Sequence, residues 1–396
     1  MNNQFDETEN GGPLNDAADV PRIPNVFGQA PPPVTVKASP LENGAAVYAP
    51  MAPETAGTDD KPKTQLNLDL YLTNTGESNV TLSGFQMAYV PPPVVLVALT
   101  TVAQLIDNNL LLGSPTIAPG DVRKLIVPAS QLPYPAPRAI FISLSFEGFP
   151  GALETTFPLV PHVNCVPGGA YRFPFRASDL ADGEYWSGGI PRLVDGAPSH
   201  HRAFSPQRFA YDLIIRKWDP DEDRLRRTFP GSTGNENEDY LAWGKPVYAM
   251  AAGTIISCGR DIADNPNPPA KISGGGGNTI WIQHANGEVS MYAHLMQHSI
   301  PEHLCEVGYK VCENEFLGLV GNSGSSSEPH LHVQVQRGRP NSDKASGRPL
   351  PFRGIHTLPK DLYAPGGTDT RWTYVDGHGL NGFSLIWPVP SPPLVN

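Results

Sequence analysis

His330-Leu331-His332 sets two imidazoles two residues apart in a stretch, Leu331 to Val335, that reads as a strand. Side chains at i and i+2 of a strand face the same side, so both rings can converge on one ion or one bound water. That geometry suits zinc. The run before it, Gly318-Leu319-Val320-Gly321-Asn322-Ser323-Gly324, reads as a strand followed by a glycine-bearing loop through which backbone can approach a ligand closely. Tyr292-Ala293-His294-Leu295 supplies another histidine at a strand end, and Asp212 sits within the apolar segment Phe209-Ala210-Tyr211-Asp212-Leu213-Ile214-Ile215. An acid in so apolar a segment requires a partner.

The order of these pieces, an acid on an early strand, then Tyr-Ala-His, then Gly-Asn-Ser-Gly followed by Pro329-His330-Leu331-His332, resembles the lysostaphin-type (LytM-type) zinc endopeptidases, which hydrolyse peptidoglycan. The resemblance extends over roughly residues 200–340. It includes Gly244-Lys245-Pro246-Val247-Tyr248-Ala249 with a following Gly253, and Gly277-Asn278-Thr279-Ile280-Trp281-Ile282-Gln283-His284 leading to Asn286-Gly287. It implies that Asp212 and His332 bind zinc, that His330 is the general base, and that His294 helps polarise the attacked carbonyl or the nucleophilic water. Catalytic zinc with three protein ligands leaves its fourth position to water, whose pKa drops to about 7. An imidazole that is not a ligand then takes the proton and passes it to the leaving amine.

One position departs from the family pattern. Its members usually carry a third ligand, a histidine four residues before the aspartate, and Arg208 stands there in Gln207-Arg208-Phe209-Ala210-Tyr211-Asp212. Arginine has no lone pair to offer a metal. His200 and His201, twelve and eleven residues before Asp212, are the only histidines in the forty residues upstream of it. Ala203-Phe204-Ser205-Pro206 can turn the chain back, and adjacent residues on an extended segment point oppositely, so one of the two can restore the site. Two functions follow: a zinc endopeptidase of bacterial cell wall, or a catalytically degenerate member that binds wall peptide or regulates a partner hydrolase. A lipoyl or biotin carrier would need a lysine at a hairpin tip, and Gly321-Asn322-Ser323-Gly324 has none.

The elements that must position these residues are mostly strands. In the second half they are expected at Phe209 to Ile215, Lys245 to Ile256, Thr279 to His284, Val289 to Ala293, Phe316 to Val320 and Leu331 to Val335, each bounded by Gly, Asn or Pro turns. Asp219 to Tyr240 is too polar to bury and reads as a long surface loop. Upstream, Leu66, Leu68, Leu70 and Leu72 alternate with mostly polar residues and stop at Asn74-Thr75-Gly76, and Ile140, Ile142, Leu144 and Phe146 repeat the pattern. With the short apolar stretches between them, these predict an immunoglobulin-like β-sandwich over residues 46–165, a packing module that offers a surface to a protein partner. The expected organisation is a disordered acidic and proline-rich arm (1–45), this sandwich, an antiparallel β peptidase domain of the lysostaphin type (166–356) and a loose proline-rich tail (357–396).

Composition fits that picture. Glycine (39) and proline (44) make up about 21% of the 396 residues, which favours turns and strands over helices. A net charge of −11 with 17% charged residues leaves no basic field for nucleic acid or anionic lipid. The longest apolar-rich stretch, Val94 to Ile106, is too short to span a bilayer as a helix. A wall substrate implies the periplasm or the exterior, yet residues 1–20 hold five acids and no Lys or Arg, so no secretory signal is visible in them. Of Cys165, Cys258, Cys305 and Cys312, the last two flank Val307-Gly308-Tyr309 and are placed to pair across a hairpin in an oxidising compartment.

Overall fold

The structure is a computed structural model that describes residues 18–19, 31–39, 41–42, 44–51, 63–90, 96–107, 110–127, 132–133, 137–161, 170–188, 201, 204–270, 274–342, 345–359, 363, 372–380 and 384–389. Strands dominate it, and no helix among the described residues is long and apolar enough to cross a membrane. Strands β1 (Val34–Ser39), β2 (Asp69–Asn74) and β3 (Val122–Ile126) lie side by side and antiparallel in one sheet, with β2 in the middle. A second sheet is built around Val80–Val90, Ala139–Phe146 and Phe149–Pro161. Val36, Leu70, Leu72 and Leu125 of the first sheet and Phe85, Met87, Ile140 and Ile142 of the second belong to one apolar core. The leucine alternation through Leu72 is divided between the two sheets: Lys63–Asn67 joins the larger and β2 the smaller, with Leu68 fully buried at the switch.

The arm expected to be disordered contributes β1, whose Val34, Val36 and Ala38 are buried. Alternation over six residues suffices to complete a sheet edge, and the preceding prolines conceal it in a composition window. Most of the stretch before it lies outside the described residues.

The second half has its own core, running from Tyr171 to Ile386. Its main sheet follows, in spatial order, Lys310–Val311, β6 (Gly253–Gly259), β7 (Asn278–Gln283), β8 (Glu288–Leu295), β9 (Leu331–Arg337), β5 (Tyr211–Asp219), β4 (Glu184–Gly188), β11 (Ser384–Pro388), β10 (Ile355–Pro359) and Thr373–Val375. The neighbours in this sheet pair antiparallel. In β9 the period of two sends Leu331, Val333 and Val335 into the core and His332, Gln334 and Gln336 to the other face. The stretch Asp219 to Tyr240 is not wholly a surface loop: Asp219 ends β5, Arg224–Arg226 pairs back on it, and Thr228, Asn237 and Tyr240 are buried.

Two expectations are corrected here. Described parts of the tail belong to the fold: Ile386 of β11 sits between Trp186 of β4 and Thr357 of β10, and Leu385 and Ile386 are fully buried. Pro388 closes the strand without preventing it. Cys305 bonds to Cys258, 47 residues away, and not to Cys312, whose thiol is exposed. Cys258 lies on β6, and the Glu302–Cys305 turn packs on that strand.

Ile386→Ala removes side-chain volume from a filled core and should lower stability by about 2–4 kcal/mol, read from urea unfolding. A change below about 0.5 kcal/mol, as at an ordinary surface position, would place the tail outside the cooperative fold.

Candidate metal centre

Strand register brings the first two groups together. Asp212 of β5 pairs across the ladder with His332 of β9, and His332 pairs on its other side with Ala293 of β8. Directly opposed residues share a face, so the Asp212 carboxylate and the His332 ring must meet. His332 Nδ1 lies 3.0 Å from Asp212 Oδ1, and His330 Nε2 lies 3.6 Å from the same oxygen. His201 adds a third imidazole, its Nε2 3.4 Å from Asp212 Oδ2. The possible ligand atoms of His201, Asp212 and His332 all fall within 4.8 Å of one another. Of the candidates for the third donor, His201 lies at the site; His200 lies outside the described residues. Arg208 does not reach the cluster; its guanidinium is spent on Asp69.

His294 needs more than register. Strand alternation would aim it away from Ala293 and hence from His332, but its φ of 61° is left-handed, a region rare for a residue with a Cβ. That turn brings its ring centroid to 4.8 Å from that of His330 and 6.0 Å from that of His332. The strain is held by three hydrogen bonds: His294 N–H donates to Gly276 O, Gly321 N–H donates to His294 O, and His294 Nδ1 lies 2.7 Å from Ser323 O.

The Gly-Asn-Ser-Gly loop serves this purpose by packing backbone against backbone. A Cβ on Gly277 (φ 62°) would lie 2.4 Å from Ser323 C and O, and one on Gly324 would lie 2.3 Å from Gly277 N. The loop is pinned from behind by Asp264, which accepts from the N–H groups of Asn322 and Gln297, and by Asn265, whose Nδ2 donates to the carbonyls of Asn322, Gly324 and Ser326.

A carbonyl can only accept, so these contacts fix tautomers. Nδ1 of His294 carries a hydrogen toward Ser323 O, and Nδ1 of His330, 2.8 Å from Glu328 O, does the same. Each neutral ring then presents an Nε2 lone pair. His332 is set the other way round. Its Nε2 lies 3.0 Å from Gln334 Oε1, Gln334 Nε2 donates to Gln336 Oε1 at 2.7 Å, and Gln336 Nε2 donates to Arg339 O. The amide ladder leaves Gln334 Oε1 as an acceptor, so His332 Nε2 carries the hydrogen and Nδ1 faces Asp212. Gln334 went unnoticed in the sequence, although its place two residues beyond His332 on a strand was a usable signal.

The charges agree. Burial works against ionised Asp212, but the charges of His201, His330 and His332 outweigh it and hold the carboxyl well below the usual range. Burial would likewise lower the His332 pKa, yet the hydrogen bond and charge of Asp212 raise it. His294 is pushed well down, by burial first and then by His330 and His332. Two nitrogens and a carboxylate oxygen make a donor set suited to a divalent ion such as zinc, and Asp212, 34% exposed, opens it to solvent.

A histidine just before the Ala285-Asn286-Gly287 turn is expected to be exposed, yet His284 is buried, with Nδ1 3.0 Å from Ala252 O and Nε2 2.9 Å from Ser290 Oγ. His298 is exposed beside Asp261, away from the centre.

Residues 238–344 match the model of Peptidase family M23. That segment contains His294, His330 and His332 but neither Asp212 nor His201, which rest on the geometry above. The chain is 36% identical over 115 residues to the DD-carboxypeptidase/endopeptidase Mpg of Neisseria meningitidis serogroup B, covering 28% of this chain and 23% of that protein. It is 30% identical over 171 residues to the peptidoglycan DD-endopeptidase ShyA of Vibrio cholerae serotype O1, covering 42% and 33%. The chain thus spans about a quarter to a third of the length of these curated relatives. Among solved structures, the catalytic domain of lysostaphin from Staphylococcus simulans is 19% identical with a TM-score of 0.23, over 42% of this chain and 86% of that one.

Gln334→Ala removes the acceptor that fixes the His332 tautomer. Zinc affinity, measured by chelator competition, should fall about 10–100-fold, the usual cost of losing a partner behind a metal-ligating histidine. An unchanged affinity would mean that Asp212 alone orients the ring.

Proposed function

Residues 238–344 forming a peptidase family M23 domain, we propose that this protein is a zinc-dependent endopeptidase that hydrolyses peptide bonds in bacterial peptidoglycan. In this reading His201, Asp212 and His332 hold the metal, His330 is the general base, and His294 orients the nucleophilic water. One observation carries it: three donors of zinc-ligand type converge on a solvent-open point, with two further imidazoles beside them whose Nδ1 atoms are turned to backbone carbonyls, leaving Nε2 for the site. The names of Mpg and ShyA support wall peptide as the substrate class.

When bound, zinc supplies Lewis acidity, lowering the pKa of a coordinated water to about 7 and polarising a carbonyl. The chain's own groups then divide the proton work. His330 Nε2 accepts a proton from the attacking water as its oxygen bonds to the carbonyl carbon, and returns that proton to the amine nitrogen as the C–N bond breaks. Its Nδ1–H stays with Glu328 O throughout, which keeps the ring in one orientation. His294, kept neutral by its burial and its histidine neighbours, accepts a hydrogen bond from the water and aligns it. A donor role toward the carbonyl would require it to be protonated, which its surroundings oppose.

The non-catalytic alternative drew its force from Arg208 in place of a ligand. His201 at 3.4 Å from Asp212 supplies the missing donor type and weakens that argument.

His332→Ala should abolish zinc in protein purified without added metal, by elemental analysis; full occupancy in that variant would remove His332 from the ligand set. His330→Ala should keep zinc and lose release of peptide from purified wall by about 10²–10⁴-fold, the usual scale for a missing general base. Zinc lost together with turnover would make His330 a ligand.

A further inference from the structure

Arg208 occupies the position where a ligand was expected, seven residues after His201 and four before Asp212, and it is buried at 2% exposure. Both its terminal nitrogens donate to one carboxylate, Asp69 of β2 in the N-terminal half, with Nη2 3.1 Å from Oδ2 and Nη1 on Oδ1. Asp69 is fully buried, and Lys124 Nζ of β3 lies 2.9 Å from the same Oδ2. Leu70 and Leu72 of β2 point into the sandwich core, so Asp69 and Tyr71 belong to the opposite face; both are buried. On its other side the segment is pressed against the Ser346–Arg348 strand. A Cβ on Gly347 would lie 2.5 Å from Ser205 O and 2.9 Å from Pro206 O in the short Ser205–Gln207 turn.

A buried ion pair is a poor source of net stability, because desolvation offsets most of its Coulomb gain. What a two-pronged Arg–carboxylate contact does fix is geometry. Resting on the reading of His201 as a metal ligand, we propose that Asp69 and Arg208 are positioning residues: the N-terminal half grips the segment carrying His201 so that its imidazole stands against Asp212. The metal centre is then complete only when the two halves are docked.

The test uses the full-length chain and zinc as the probe, with chelator competition for affinity and release of wall peptide for turnover. Arg208→Gln and Asp69→Asn should each weaken zinc at least tenfold. The double variant should be no weaker than the worse single one, since both remove the same contact; of the three charges there it leaves only Lys124. Ile142→Ala, which loosens the same core from the opposite sheet, should lower stability without changing zinc affinity. If Arg208→Gln and Asp69→Asn bind zinc like wild type while His201→Ala loses it, the proposal is wrong and the ligand assignment stands. If His201→Ala also binds like wild type, the ligand assignment falls and takes the proposal with it. Equal weakening in Ile142→Ala and Asp69→Asn would overturn it as well, because general loosening would then explain the effect.

Discussion

Asp212 is one carboxylate set among three imidazoles, with His201, His330 and His332 nitrogens 3.0–3.6 Å from its oxygens. Such a cluster is balanced only if a positive charge resides in it. Without a metal a proton serves: His332 has its pKa raised by Asp212, while Asp212 is held ionised by the rings around it. A divalent cation does the same task with more charge and more bonds, and displaces that proton as it enters. The cross-strand pairing of Asp212 with His332 is therefore the contact on which the rest of the second half depends. A slip of one residue between β5 and β9 would send one of the two to the opposite face.

The surrounding polar network prevents that slip and removes competing tautomers. Gln334 and Gln336 extend the His332 hydrogen bond along β9, each amide presenting one donor and one acceptor in a fixed direction. Ser323 O and Glu328 O do the same for His294 and His330 from loops, where no sheet ladder holds the backbone. The buried asparagines 265 and 322 take over that duty, with Asn265 Nδ2 approaching three carbonyls of the same loop. The left-handed turn at His294 costs energy locally and is paid back by these contacts.

Much of this was legible from residue order. The period of two placed His330 and His332 on one face, and the apolar segment around Asp212 required that acid to find a partner. The mostly β architecture followed from the same alternation. What stayed hidden were contacts between residues far apart in sequence. Asp69 and Arg208 are separated by 139 positions, and nothing local to either names the other. The position of His201 depends on the path of the chain ahead of β5, where the Ser205–Gln207 turn folds against both β9 and the Ser346–Arg348 strand. Cys258 and Cys305 pair through the packing of a short turn on β6, whereas Cys312 is nearer in sequence and faces outward. In β1 the alternating apolar residues were present, and in β11 a short apolar run, but nearby prolines dominated the composition and masked strands of six and five residues.

Two carboxylates thus bracket one short segment, half-buried Asp212 balanced by histidines and fully buried Asp69 by Arg208 and Lys124. The balancing groups differ in kind. Arg208 brings a permanent charge and makes a fixed joint with Asp69, whereas imidazoles can exchange a proton for a metal and make a reactive one. Because Arg208 and Asp212 are only four residues apart at the entry to β5, an error in the fixed joint is carried by a short and nearly inextensible chain into the reactive one. Arg208, where the resemblance leads one to expect a histidine, thus joins the two halves through Asp69. Under the proposal above, the geometry of the centre in the second half depends on that carboxylate in the first.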